Sequence, residues 1–116
     1  MKVTSLDQVP RQAMDMAGAL EVTKQVPIGR ADGTPNFVFR VFTVAPGGHT
    51  PYHSHASEHL NYVIQGQGAL IDASGAAHPI GSGDFAFVEP EEQHQYRNTS
   101  TSQDLVMICA VPEAYE

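Results

Sequence analysis

Glycine, proline and short polar residues interrupt this 116-residue chain roughly every 8 to 12 positions, a spacing too tight for ordinary helices and matched to short strands joined by turns. The interruptions are Asp32-Gly33, Pro46-Gly47-Gly48, Gly66-Gln67-Gly68, Ser74-Gly75, Gly81-Ser82-Gly83 and the polar run Asn98–Asp104. Each offers residues that tolerate turn backbone angles. Between them lie the predicted strands Glu21–Ile28, Phe37–Val44, Leu60–Gln65, Ala69–Ala73, Phe85–Val88, Gln95–Asn98 and Leu105–Val111. Strands this short and this numerous in one small chain predict an all-β domain: a sandwich, jelly roll or small barrel. Residues 1–20 read as an N-terminal arm, with room for a turn or two of helix over Gln12–Ala17 between Pro10 and Gly18. Residues 21–112 read as the domain and 113–116 as a tail.

Charge narrows the function classes. Six Lys and Arg against thirteen Asp and Glu give a net charge of −7, and no basic run offers phosphate contacts, so nucleic acid is not expected as a partner. No apolar stretch approaches the ~20 residues that span a bilayer, and the N-terminus lacks a signal-peptide core. With one cysteine, Cys109, no internal disulfide forms, and a cytoplasmic location is expected.

The chemistry concentrates in six histidines, of which His53, His55 and His59 fall close together. Side chains at i and i+2 of a strand share a face, so His53 and His55 can address one centre. His59 has the same parity, but a straight strand carries it roughly 13 Å beyond His55 at about 3.3 Å per residue. Bonds from imidazole to a metal such as zinc are only about 2.0–2.1 Å long. The chain must therefore bend at Ala56-Ser57-Glu58 for all three to hold one ion. The same stretch, His55-Ala56-Ser57-Glu58-His59, fits the H-x-x-E-H pattern of a zinc-protease helix. Pro51 upstream and the strand-forming run Tyr62-Val63-Ile64 downstream argue against that helix. His49, in a Gly-Gly turn, and His78, before Pro79, are expected to be exposed loop residues.

These residues resemble the cupin motifs. The first, G-x5-H-x-H-x3,4-E-x6-G, falls on Gly47, His53, His55, position 59 and Gly66, with His59 where most of the family has Glu. The second, G-x5-P-x-G-x2-H-x3-N, falls on Gly83, His94 and Asn98, with Glu89 and Glu91 in the Pro and Gly slots and Pro90 displaced by one. The set is similar to the small single-domain cupins with four histidines. The resemblance implies a double-stranded β-helix, or jelly-roll, barrel that binds one divalent metal ion through His53, His55, His59 and His94. Mn or Fe is favoured; Ni, Co, Cu or Zn are also possible. Glu58, beside the Glu slot, is expected near the site or in solvent rather than on the metal.

Four neutral imidazoles leave the ion's full charge in place, so the site should attract a small, anionic substrate. The resemblance implies a dioxygenase-type oxidoreductase. A metal-assisted isomerase or lyase that needs no O2 is the alternative, and a non-enzymatic small-molecule-binding cupin is the third reading. Alternation along the last strand puts Leu105, Met107, Cys109 and Val111 on one face; if it points inward, Met107 and Cys109 line the pocket, unless Cys109 is simply a small core residue. Tyr96 shares the face of His94. Arg40, in the otherwise apolar strand Phe37–Val44, anchors a substrate anion or pairs with a carboxylate at an interface. That strand is apolar on both faces, which fits either a central strand of one sandwich or cover by a second subunit, and a homodimer is expected.

Overall fold

A computed structural model describes all residues, Met1–Glu116. Nine antiparallel strands make up the fold: β1 (Gln12–Ala13), β2 (Leu20–Ile28), β3 (Phe37–His49), β4 (His59–Gln65), β5 (Gln67–Ile71), β6 (Ala77–Gly81), β7 (Phe85–Val88), β8 (Gln95–Asn98) and β9 (Leu105–Pro112). There is no α-helix; three single 3-10 turns lie at Leu6–Gln8, Arg30–Asp32 and Glu113–Tyr115. No helix is long and apolar enough to cross a membrane. The all-β expectation therefore holds, and the helical turns allowed for Gln12–Ala17 are replaced by β1, which pairs with β2 through Gln12↔Lys24 and Ala13↔Thr23.

The hydrogen-bonded order is β6-β5-β8-β3-β9-β4-β7, with β2 also on β3. Strand β3 serves both halves. Its first stretch, Phe37 to Val44, pairs along its length with β9, while its last residue, His49, pairs with Arg97 of β8. Pro46-Gly47-Gly48, read from sequence as a turn, is instead the bend where β3 crosses from one half of the barrel to the other. Pairing with β2 slips there, from Val22↔Val44 to Leu20↔His49; bends of this kind make the corners of β-sandwiches. A side chain on Gly48 would lie 2.6 Å from Leu20 O. His49 is accordingly a half-buried strand residue, its Nδ1 3.1 Å from Thr50 O, not an exposed loop residue.

Strand β6 escapes the sequence pattern because Pro79 looks like a breaker. It sits at the end of the strand order, paired only with β5, where a missing N–H costs nothing. His78 is exposed as expected, but it stands in this edge strand and pairs with Asp72 at 2.7 Å.

Alternation decides what each strand buries. Val38, Phe42 and Val44 of β3, Val63 of β4 and Leu105, Met107, Cys109 and Val111 of β9 share one core cluster with Val22 and Tyr96. On the opposite face, Phe39, Ala110, Leu60 and Phe87 stand in direct register across β3, β9, β4 and β7. Phe39, Leu60 and Phe87 are each about half exposed. One face of this sheet is thus core, and the other is an apolar surface.

The arm and the tail are tied down. The Gln25 amide donates to Leu6 O at 2.9 Å and Val9 O at 2.8 Å. Arg30 donates from Nε to Glu113 O and from Nη2 to Ala114 O, both at 3.0 Å.

Gly66 and Gly75 both have left-handed backbones, with φ of 88° and 85°, but only at Gly66 would a Cβ collide with Asp104 O. Alanine at Gly75 pays only the left-handed cost of about 1–2 kcal/mol. We expect Gly66→Ala to lower the melting temperature at least about twice as much as Gly75→Ala, read by thermal unfolding.

Candidate metal centre

Two segments build the site. After Thr50 the chain leaves β3 and runs beside β8, where His53 and His94 exchange backbone hydrogen bonds, His53 N to His94 O at 3.1 Å and His94 N to His53 O at 2.9 Å. Glu91 N adds a bond to His55 O at 2.8 Å. The bend expected between His55 and His59 is present at Ala56 and Ser57, and it lets His59 open β4 on the same inner face as Asn61 and Val63.

The ligand atoms of His53, His55 and His94 lie within 4.8 Å of one another. His55 Nδ1 lies 2.6 Å from Ser57 O, and His94 Nδ1 lies 2.8 Å from Glu92 O. A carbonyl oxygen only accepts, so both Nδ1 atoms carry the proton and both Nε2 atoms present a lone pair. Those two Nε2 atoms face each other at 3.3 Å. Two lone pairs held at that separation repel unless a cation lies between them, and a ring nitrogen fixed through the other nitrogen's hydrogen bond to a carbonyl is how proteins prepare histidine for a metal. The donor set therefore fits a divalent ion.

His59 stands against this trio without being part of it. Its ring stacks on His55, with centroids 4.0 Å apart and planes 26° from parallel, while its Nε2 lies 3.2 Å from Arg40 Nη2. A guanidinium only donates, so His59 Nε2 accepts. The structure thus brings three of the four sequence-predicted ligands into one set and places the fourth beside them. Glu58 faces solvent.

Burial, then the neighbouring His55, Arg40, His94 and His53, pushes the His59 pKa down to about 3. His53 is lowered by burial and then by His94 and His55. His94 is lowered by burial, which outweighs the opposing Glu92 carbonyl. These three imidazoles stay neutral near pH 7, the form a metal requires.

The cluster opens into a cavity of about 300 Å³, also lined by Arg40, Tyr96 and Met107. Cys109 is fully buried, with Sγ 3.1 Å from Arg40 Nη2, so it meets the cavity through Arg40. Tyr96 donates its hydroxyl to Asn61 Oδ1 at 2.8 Å, and burial, with Cys109 adding to it, holds its pKa far above the usual phenol range.

Asn61, Met14, Met16 and Tyr115 also line the cavity and escaped the sequence reading. Asn61 was accessible through its parity with His59. The others depend on how the arm and tail dock, which no local pattern reveals.

A cupin domain family profile matches residues 40–111. Among solved structures, the chain is similar to the polyketide cyclase RemF from Streptomyces resistomycificus, at 30% identity and a TM-score of 0.91, over 97% of this chain and 79% of that one. It is also similar to a predicted oxalate decarboxylase from Thermotoga maritima (23% identity, TM-score 0.82, 97% and 99% covered). A third is a cupin-2 domain from Rhodospirillum rubrum (23% identity, TM-score 0.81, 96% and 74% covered). At that identity the last two speak to the fold alone. No curated protein matches the sequence.

The lowered pKa values set a pH dependence for the metal-free protein. As pH falls below about 6.5, the unfolded chain takes up protons that the folded cluster refuses, so stability is full above 6.5 and declines toward pH 3. Each such histidine contributes a slope of at most about 1.4 kcal/mol per pH unit. Urea unfolding between pH 7 and pH 4 should show a shallower decline in His59→Gln than in the wild type.

Proposed function

The chain belongs to the cupin family, and from that premise we propose that it is a metal-dependent enzyme acting on a small, enolizable carbonyl compound, closing or rearranging a carbon chain without O2. The observation that carries this reading is the facing pair of lone pairs on His55 and His94, 3.3 Å apart in the wall of the cavity. The 30% identity with a polyketide cyclase supports a carbonyl substrate. His53, His55 and His94 would hold a divalent ion, with His59 near enough to join them if freed from Arg40, and the ion would supply Lewis-acid polarisation of a carbonyl oxygen.

The chain's own residues do the rest. Tyr96, held neutral with its one hydroxyl proton on Asn61 Oδ1, gives the cavity a fixed acceptor oxygen and no negative charge. Met14, Met107 and Phe42 give apolar walls that keep water from a reactive enolate. At about 300 Å³ the cavity lies at the small end of ligand sites, which fits a compact substrate.

A dioxygenase at an Mn or Fe centre is the second reading. Its support is the donor set, because uncharged nitrogen ligands suit redox-active ions as well as zinc. Turnover of a linear 3,5-dioxo acid by the metal-loaded protein separates the two: equal rates with and without O2, abolished by EDTA, support cyclisation or isomerisation. Loss of turnover without O2 moves the assignment to an oxygenase.

Removal of single ligands tests the centre itself. We expect His94→Ala to lose metal stoichiometrically by elemental analysis, and His59→Ala to keep the metal at reduced affinity, about 10- to 100-fold.

We also propose that the protein works as a homodimer, with a second copy covering the row Phe39, Leu60 and Phe87. A continuous apolar face of this kind marks an interaction site. Leu60→Asp, at an exposed position, should leave the fold intact and halve the mass seen in sedimentation.

A further inference from the structure

Arg40 is a buried cation with no counter-ion. Only 9% of it is exposed, and the ion pairs of the chain are Lys2–Asp32, Arg30–Glu113 and His78–Asp72. Its hydrogen-bonding partners are all uncharged: Tyr115 O at 3.2 Å, His59 Nε2 at 3.2 Å and Cys109 Sγ at 3.1 Å. The Phe42 ring lies 5.0 Å from its guanidinium carbon, and its Nε has no partner at all. The neighbours register the excess charge: Arg40 adds to the burial that lowers the pKa of Lys24, and it contributes to the lowering at His59. A buried charge without a partner is normally selected against.

A purely architectural role does not account for it. The C-terminal turn that Arg40 meets at Tyr115 O is already held by two hydrogen bonds from Arg30 to Glu113 O and Ala114 O and by Lys24 Nζ to Glu116 O at 2.6 Å, and the other polar contact of Arg40 outside the core, His59, belongs to the site itself. The composition of the cavity points elsewhere. In a chain with thirteen Asp and Glu, not one carboxylate lines the cavity that holds Arg40 and the histidines. The counter-charge is absent from the protein at the place where a ligand enters.

We propose that Arg40 is the receptor for an anionic group of the substrate, a carboxylate or an enolate carried by the same molecule whose carbonyl faces the histidines. The proposal rests on the reading of the cavity as a substrate site and narrows it to oxo acids, with neutral ketones, esters and amides disfavoured. A guanidinium suits this task because it cannot lose its proton and its planar fork matches a carboxylate. Its links to Tyr115 O and His59 Nε2 are to neutral acceptors, which an anion outcompetes. Occupation by substrate would therefore release His59 Nε2 as well.

The probes are acetoacetate and methyl acetoacetate, the same skeleton with and without the charge, titrated by calorimetry into the purified protein with and without bound metal. Wild type should bind the acid at least about tenfold more tightly than the ester, in both metal states. Arg40→Met should lose that preference while its affinity for the ester stays unchanged, and Arg40→Lys should keep part of it. The melting temperature of Arg40→Met should not fall, because a residue kept for binding rather than architecture leaves the fold no weaker when its unpaired charge is removed.

Equal affinity for acid and ester in the wild type overturns the proposal, and this comparison does not depend on any variant folding. A preference that survives Arg40→Met but vanishes on metal removal also overturns it, since the anion then binds the ion. Arg40-dependent binding without turnover would instead leave the anion receptor standing and remove the proposed reaction.

Discussion

Everything in the site depends on the paired backbone hydrogen bonds between His53 and His94. They join two segments far apart in the chain, one leaving β3 and one entering β8, at the residues that carry the donors. Nearby, Thr50 N bonds Tyr96 O at 2.9 Å, and Tyr96 N bonds Thr50 Oγ1 at 2.9 Å, so the pairing extends outward along β8. Once it forms, the carbonyls of Ser57 and Glu92 fix the imidazoles of His55 and His94 through Nδ1. The lone pairs then point at each other with no donor between them. Backbone hydrogen bonding thus holds mutually repelling groups in place, the kind of local strain a protein retains for a ligand.

The same barrel separates charge by face. The chain carries −7 overall, yet its cavity has one unpaired guanidinium, four histidines and no carboxylate. Alternation produces this directly. The inner row Arg40, Cys109, Asn61 stands in register across β3, β9 and β4, and the neighbouring row Phe39, Ala110, Leu60 faces outward. A shift of one residue in any of these strands would exchange a site residue for an apolar surface residue.

How much of this was legible in sequence follows from the range of the interactions involved. Strands β4, β7, β8 and β9 read correctly to within a residue or so because alternation and turn residues are local signals. The histidines His53, His55 and His94 were legible through parity and motif spacing. Strand β6 was hidden by Pro79, whose tolerance comes only from its edge position. The continuation of β3 past Gly47 and Gly48 was hidden because a sheet-crossing bend uses the same residues as a turn. Parity placed His59 on the correct face, but its ring orientation depends on Arg40, nineteen residues away in sequence. Met14, Met16 and Tyr115 reach the cavity only because Gln25 and Arg30 capture the two chain ends, and neither contact leaves a trace in composition or period.

The central claim is that His55 and His94 are fixed with protonated Nδ1 and free Nε2, ready for one ion. Long-range 1H–15N NMR of the imidazole rings tests it most directly, first in the metal-free protein near pH 7 and then with one equivalent of Zn2+. The account predicts Nδ1–H tautomers for both residues before metal addition and, after it, a shift in these two rings at Nε2 rather than Nδ1. Nε2–H tautomers, or Nε2 signals that ignore the metal, would contradict it.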